Sequence, residues 1–328
     1  MRDFARPNVV ISKCITFAPV RYDAQIVTSD FVEKLKSHVN FIPVCPEVEI
    51  GLGVPRDAVR IVLVNGERRL IQPATGYDFT EKMERFAESF LNSLEKVDGF
   101  ILKRGSPSSG FKNVKVYAKT EKSAPVDKGP GFFGGAVLQK FPHLAIEDEL
   151  RLINLRIREH FLTKLFALSS FRAVKETGKL RELVRFQSEN KYLFTAYSQK
   201  ELKILGKIVA NQEEKSVLEM LNDYEIHLHL ALDRTPSVGS YVNVMLKIMG
   251  YFSNQLSRDE KSFFLDSVEK YKRGRLSLSA NLSILRAWII RFKQNYLSAQ
   301  SLLEPYPEQL AELESVFGEG SGKDYWKQ

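Results

Sequence analysis

The sequence predicts an α/β N-terminal domain with a mainly parallel sheet over residues 1–145, then an all-α C-terminal helical bundle domain over residues 146–328. Up to about residue 150, short β-branched runs alternate with amphipathic runs, the pattern of parallel strands covered by helices. After about Ile146 almost every stretch carries helical periodicity. At 328 residues and 44% hydrophobic content the chain is long enough and apolar enough for two cores.

In chain order, residues 9–13 read as a strand, 30–39 as a helix capped by Ser29 or Asp30, and 41–44 as a second strand. Residues 59–64 and 68–72 flank Asn65-Gly66, a strong hairpin signal. Residues 79–97 read as a helix with Thr80 as its N-cap and Phe86, Phe90 and Leu94 on one face. Residues 100–103 and 114–118 read as strands, and the Gly-, Pro- and Lys-rich stretch 119–135 as a surface loop. Helices are expected over 152–168, 172–186, 199–212, 214–232, 238–255, 258–273 and 278–297. No internal repeat is evident.

Composition narrows the function classes. The longest apolar runs fall far short of the roughly 20 residues that span a bilayer. Residues 1–7 lack the apolar core of a signal peptide. Two cysteines make no disulfide framework, so a cytoplasmic protein with reduced thiols and no membrane partner is expected. The net charge is +8, and its distribution is uneven. Residues 151–215 hold 14 Lys and Arg against 7 Asp and Glu, and residues 270–293 hold 7 against none. Phe161, Phe166, Phe171, Phe186, Tyr192, Phe194 and Tyr197 lie in the first stretch, and Tyr271, Trp288 and Phe292 in the second. Cations neutralise phosphates and aromatics stack on unpaired bases, which points to RNA. The other reading is a solvated helical face with the aromatics in the core.

The chemistry-bearing residues follow strands. Cys14 closes the first, and Cys45 follows the second inside Val44-Cys45-Pro46-Glu47-Val48. The loop Ser106-Pro107-Ser108-Ser109-Gly110 follows a third. In a parallel sheet such loops converge at the carboxyl edge, where ligands bind. Two thiols and a Ser/Gly-rich loop there read as a metal-cluster site with one ligand replaced; the alternative is two cysteines acting as small buried hydrophobes. Glu47, stiffened by Pro46, is then a candidate general base or nucleophile rather than a surface carboxylate. Gly51-Leu52-Gly53 and Gly129-Pro130-Gly131 fall short of a dinucleotide fingerprint. His227 and His229, two apart on a helix, point in different directions and are not a metal pair.

These segments resemble the thiouracil desulfidase family. The matching residues are Ser12-Lys13-Cys14, Arg21-Tyr22-Asp23, Val44-Cys45-Pro46-Glu47-Val48, Gly51-Leu52-Gly53-Val54-Pro55-Arg56, Leu102-Lys103 and Ser106-Pro107-Ser108-Ser109-Gly110, continuing through Gly129-Pro130-Gly131-Phe132 to Phe141-Pro142. The C-terminal half resembles a helical domain often fused to that family, through Leu183-Val184-Arg185-Phe186, Lys191-Tyr192-Leu193, Met249-Gly250-Tyr251-Phe252, Asp259-Glu260-Lys261 and Tyr296-Leu297. Members with both halves resemble enzymes that remove sulfur from 4-thiouridine in transfer RNA, so tRNA is the expected partner and DNA is not.

The resemblance implies three cysteines holding a 4Fe-4S cluster. Cys14 and Cys45 stand at two of those positions and Ser109 at the third. Val20 stands where another cysteine is frequent, and Ala24 where glycine is usual. The implied chemistry is non-redox: an iron without a protein ligand binds the thiocarbonyl sulfur as a Lewis acid. Glu47 activates water or attacks the carbon itself, and Ser106 relays a proton or holds the pyrimidine oxygen. Arg21, Lys103, Lys191, Lys200 and Lys203 are the candidate substrate and RNA contacts. A serine hydroxyl is a poorer iron ligand than a thiolate, so little or no intact cluster is expected with Ser109. Two further readings stay open: a non-catalytic relative that binds RNA or a thiolated ligand after losing its cluster, and a desulfidase of free 2-thiouracil.

Overall fold

The computed structural model describes residues 2–121, 123–210 and 214–311. The chain divides into two compact units, Arg6–Phe166 and Ala167–Pro305, with short terminal segments assigned to one or the other. The first is α/β with a mainly parallel principal sheet, and among the described residues the regular elements of the second are all helices.

The first unit runs β1 (Asn8–Ser12), α1 (Asp30–Leu35), β2 (Asn40–Val44), α2 (Pro46–Glu49), β3 (Arg60–Val64), β4 (Glu67–Ile71), α3 (Thr80–Ser93), β5 (Gly99–Leu102), β6 (Val114–Tyr117), β7 (Pro125–Gly129), α4 (Phe132–Lys140), β8 (Ala145–Asp148) and the start of α5 (Leu155–Thr177). Its principal sheet has the order β2-β1-β5-β8, all parallel. Strands β1 and β5 are buried along nearly their whole length, as strands covered on both faces must be. Pro43 sits in β2 because β2 is an edge strand, where a missing N–H costs no ladder bond. A second sheet, β4-β3-β6-β7, joins two antiparallel hairpins through the parallel pair β3/β6. The β3/β4 turn is Asn65-Gly66 as predicted, with both residues at positive φ (52° and 85°), the requirement of a tight type I′ hairpin.

Several expectations are corrected. Thr80 is not the N-cap of α3: its hydroxyl accepts the buried Leu70 N–H at 2.7 Å, and the Asp78 carboxylate takes the Thr80 N–H at 2.8 Å. The stretch 119–135 is not one loop. It contains β7 and opens α4. Glycine misleads there because Gly134 serves close packing: a Cβ on it would lie 2.4 Å from the Gly110 carbonyl oxygen. Strand β8 falls at the point where helix was expected to begin; at four residues it is too short to show a period. Phe86, Phe90 and Leu94 do share a face, and the two phenylalanines pack on Phe133 of α4.

The second unit continues α5 and adds α6 (Leu180–Glu189), α7 (Lys191–Tyr197), α8 (Gln199–Ala210), α9 (Val217–Ala231), α10 (Val238–Gly250), α11 (Arg258–Lys272), α12 (Leu278–Arg291) and α13 (Asn295–Ser298). Gly178, at φ 62°, ends α5 later than predicted. Helices α9 and α11 start with full capping boxes, Ser216/Glu219 and Ser257/Glu260. Gln212, the predicted end of α8, lies outside the described residues, as does the C-terminal part of the predicted 146–328 domain. No helix among the described residues is long and apolar enough to cross a membrane.

Candidate active site

Adjacent strands deliver three loops to the carboxyl edge of the principal sheet. The Lys13 N–H bonds the Val44 carbonyl at 2.8 Å, tying the end of β1 to the end of β2. The Ser12 hydroxyl accepts the Lys103 N–H at 2.9 Å, tying β1 to β5. Cys14 and Cys45 thus leave neighbouring strands side by side, both buried and both free thiols. Burial, and next the charge of Cys45, push the Cys14 thiol up to about 12. Burial also raises Cys45, which forms the N-cap of α2 with Pro46 behind it.

Glu47, in the first turn of α2, faces this edge with its side chain 12% exposed. Arg56 grips one carboxylate oxygen, Oε2, through Nη2 and through Nε at 3.1 Å. The same guanidinium donates to the Val20 and Gly53 carbonyls, both at 3.0 Å, and so fixes the loops around Cys45. The other oxygen, Oε1, accepts the Ser108 hydroxyl at 2.7 Å, with the Ser106 hydroxyl at 3.4 Å. Ser106 Oγ lies 2.9 Å from Ser108 Oγ and accepts the backbone N–H of Ser109 at 3.1 Å. Ser109 is buried in this loop. The loop lies on the start of α4, where the Gly134 N–H reaches the Ser108 carbonyl at 3.0 Å and the Gly131 N–H reaches the Gly110 carbonyl at 2.7 Å.

The structure therefore joins Glu47 to Ser106 and sets Cys14 beside Cys45. It adds Arg56 and Ser108, which the sequence presents only as parts of motifs. No local period reveals that an arginine nine residues on folds back to the carboxylate, or that Ser108 is nearer to it than Ser106.

Residues 9–149 match the family model described as 2-thiouracil desulfurase. These residues are similar to that family. Residues 191–307 match a second model, described only as a protein of unknown function, DUF1722. Uncharacterized protein YbgA of Escherichia coli (strain K12) is 27% identical over 154 residues, 46% of this chain and 91% of that protein. A solved structure, the [4Fe-4S]-dependent thiouracil desulfidase TudS, is 26% identical and covers 45% of this chain and 94% of its own, with a TM-score of 0.37.

The donors of the first unit do not make the set that a 4Fe-4S cluster takes. Four-iron clusters are held by thiolates. The chain has two thiols in these loops, and the third motif position holds Ser109, whose hydroxyl is a harder and more basic donor. Among the described residues no group of three or more His, Cys, Asp or Glu is gathered as for a metal ion.

Among the other predicted contact residues, those of the first unit are already paired. In the first unit, Arg21 pairs with Asp23 at 3.4 Å, and the Lys103 ammonium is gripped by buried Glu149. In the DUF1722 region, Lys191 and Lys203 are exposed, and Lys200 reaches Glu201 at 3.7 Å. Phe161, Phe166, Phe171, Phe186, Tyr192, Phe194 and Trp288 are buried, so most of the aromatics in the basic stretches are core residues. Three tyrosines from separate motifs do meet in the second unit: the Tyr192 and Tyr251 hydroxyls lie 3.0 Å apart, and the Tyr251 and Tyr296 rings stack at 6.3 Å. His227 bonds Glu201 at 2.7 Å.

Proposed function

We propose that the chain hydrolyses the C–S bond of a thiolated uracil, with 4-thiouridine in transfer RNA as substrate and uridine and sulfide as products. One observation carries this reading: the Glu47 carboxylate is held by Arg56 on one oxygen and by Ser108 on the other, beside the cysteine edge. Oriented in this way, Glu47 takes a proton from water as the water oxygen adds to the thiocarbonyl carbon. The C–O bond forms, the C–S bond breaks, and sulfur leaves carrying the two protons of the water as hydrogen sulfide. Ser106 holds the pyrimidine oxygen or passes the proton on. No step is routed through a cluster, because the donors of this chain do not fit one.

The tRNA assignment is supported by the two basic stretches of the helical half and by the exposed Lys191 and Lys203. Ser109 favours a second reading, a relative that binds thiolated RNA without turning it over. The test is anaerobic incubation of tRNA containing 4-thiouridine with this chain and with Ser109→Cys after iron and sulfide reconstitution, with free 2-thiouracil as competing substrate. Sulfide release by both proteins, greater from Ser109→Cys and faster on tRNA than on 2-thiouracil, is the expected result. Absence of release from both proteins overturns the desulfidase reading, and tRNA binding without release leaves the second one.

A further inference from the structure

Glu47 opens onto a cleft of ≈ 880 Å³ built wholly within the first unit and walled by the second sheet. Besides Arg151, five cations line it: Arg60, Arg104, Lys112, Lys115 and Lys128. Among the described residues none of the five side chains makes a direct salt bridge to a carboxylate, although Glu147 and Asp148 attract Lys112 at longer range. Arg151, also on the wall, is neutralised by Glu147 at 2.7 and 3.0 Å. The two acids there are engaged elsewhere, Glu47 with Arg56 and Asp148 with the backbone N–H groups of Leu150 and Arg151.

The strand register makes the charge harder to dismiss as solvated surface. Lys115 of β6 and Lys128 of β7 are direct cross-strand partners, and both line the cleft. Like charges opposite each other on one face of a hairpin destabilise it. Val114 and Val116, which alternate with Lys115, are the buried residues of β6, so the fold gains its packing from them and nothing from the paired lysines. An anion between the two ammonium groups turns the repulsion into attraction. Lys112 is half-buried, and burial lowers its affinity for a proton, a loss that a bound anion offsets. Tyr22, 46% exposed, lines the same cleft, and its carbonyl accepts the Arg56 N–H at 2.9 Å. Its ring, with the Arg21 guanidinium 5.6 Å from the centroid, lines the same cleft as Glu47.

We propose that this cleft is a binding track for the sugar-phosphate backbone of RNA, with phosphates at Lys115 and Lys128 and the reacting nucleoside at the Tyr22 and Glu47 end. The α/β domain then grips its polynucleotide directly, apart from any contact made by the helical half. The proposal rests on the reading that the thiolated uracil arrives in RNA.

The test is binding of the full-length chain to an unthiolated tRNA transcript across a salt series, so that the readout does not depend on turnover. The variants are Lys115→Glu/Lys128→Glu and, in case charge reversal prevents folding, Lys115→Ala/Lys128→Ala. The expected result is binding roughly tenfold weaker at physiological salt, with the slope of log affinity against log salt reduced by about two, one for each phosphate no longer neutralised. The alanine pair should melt at the same temperature as the unsubstituted chain or higher, since it relieves a like-charge repulsion. Unchanged affinity and slope in the folded alanine variant overturn the proposal. So does a chain that ignores tRNA but binds polyglutamate in a lysine-dependent way, which would mark an acidic protein partner. If Ser109→Cys releases no sulfide while the lysine variants lose tRNA, the desulfidase reading falls and the track stands.

Discussion

Arg56 and Glu47 form a buried ion pair across nine residues of chain, with side chains 5% and 12% exposed. Removing one partner of such a pair leaves a desolvated charge uncompensated, at a cost of about 3–5 kcal/mol. Arg56 also bonds the carbonyls of Val20 and Gly53, so its loss frees the loops around Cys45 as well. Arg56→Ala should therefore destabilise the first unit by at least about 3 kcal/mol in denaturant titration. Glu47→Gln, which keeps an acceptor for the guanidinium, should cost distinctly less. Equal costs would mean that Arg56 does no more than neutralise Glu47.

The same carboxylate sets an order among the serines. Ser108 lies 2.7 Å from Glu47 Oε1 and Ser106 lies 3.4 Å from it. In the Ser109→Cys background, Glu47→Gln should lower kcat by about 10²–10⁴, the range for loss of a general base. Ser108→Ala should slow turnover more than Ser106→Ala if orienting Glu47 is what matters. The reverse order in steady-state sulfide release would point to direct contact between Ser106 and the substrate.

Ser109→Cys supplies a third thiol at a buried position next to Ser108. Reconstituted without oxygen, it should hold about one 4Fe-4S cluster per chain, while the chain with Ser109 should hold little. Iron and acid-labile sulfide counts, with the visible absorbance spectrum, decide this. Equal loading of the two proteins would show that residue 109 is not a ligand.

Gly134 is a packing requirement. A Cβ there meets the Gly110 carbonyl oxygen at 2.4 Å and the Ser109 carbonyl oxygen at 2.7 Å, both backbone atoms. Gly134→Ala should push the Ser106–Gly110 loop away from α4 and cost about 1–3 kcal/mol, the usual penalty for overpacking. Activity of the Ser109→Cys background should fall further than stability alone accounts for, because Ser108 moves off Glu47. Full activity in the folded double variant would show that the loop tolerates the shift.

Local patterns carry much of the fold. Strand β1, the Asn65-Gly66 hairpin and most helices announce themselves through residue period and turn chemistry, which are properties of neighbours along the chain. Cys14, Cys45, Glu47 and the Ser106–Gly110 loop are legible because each follows a strand, and parallel strands end at one edge. What lies beyond that reading depends on atoms far apart in sequence. Ser108 reaches Glu47 across 61 residues. The glycines of α4 mimic a loop because close approach and turning call for the same residue. Aromatics among the cations are mostly core, since periodicity cannot say which face of a helix finds a neighbour. Lys115 and Lys128 become a facing pair only when β7 forms, and β7 needs β6 beside it because a single exposed strand buries too little to hold its shape.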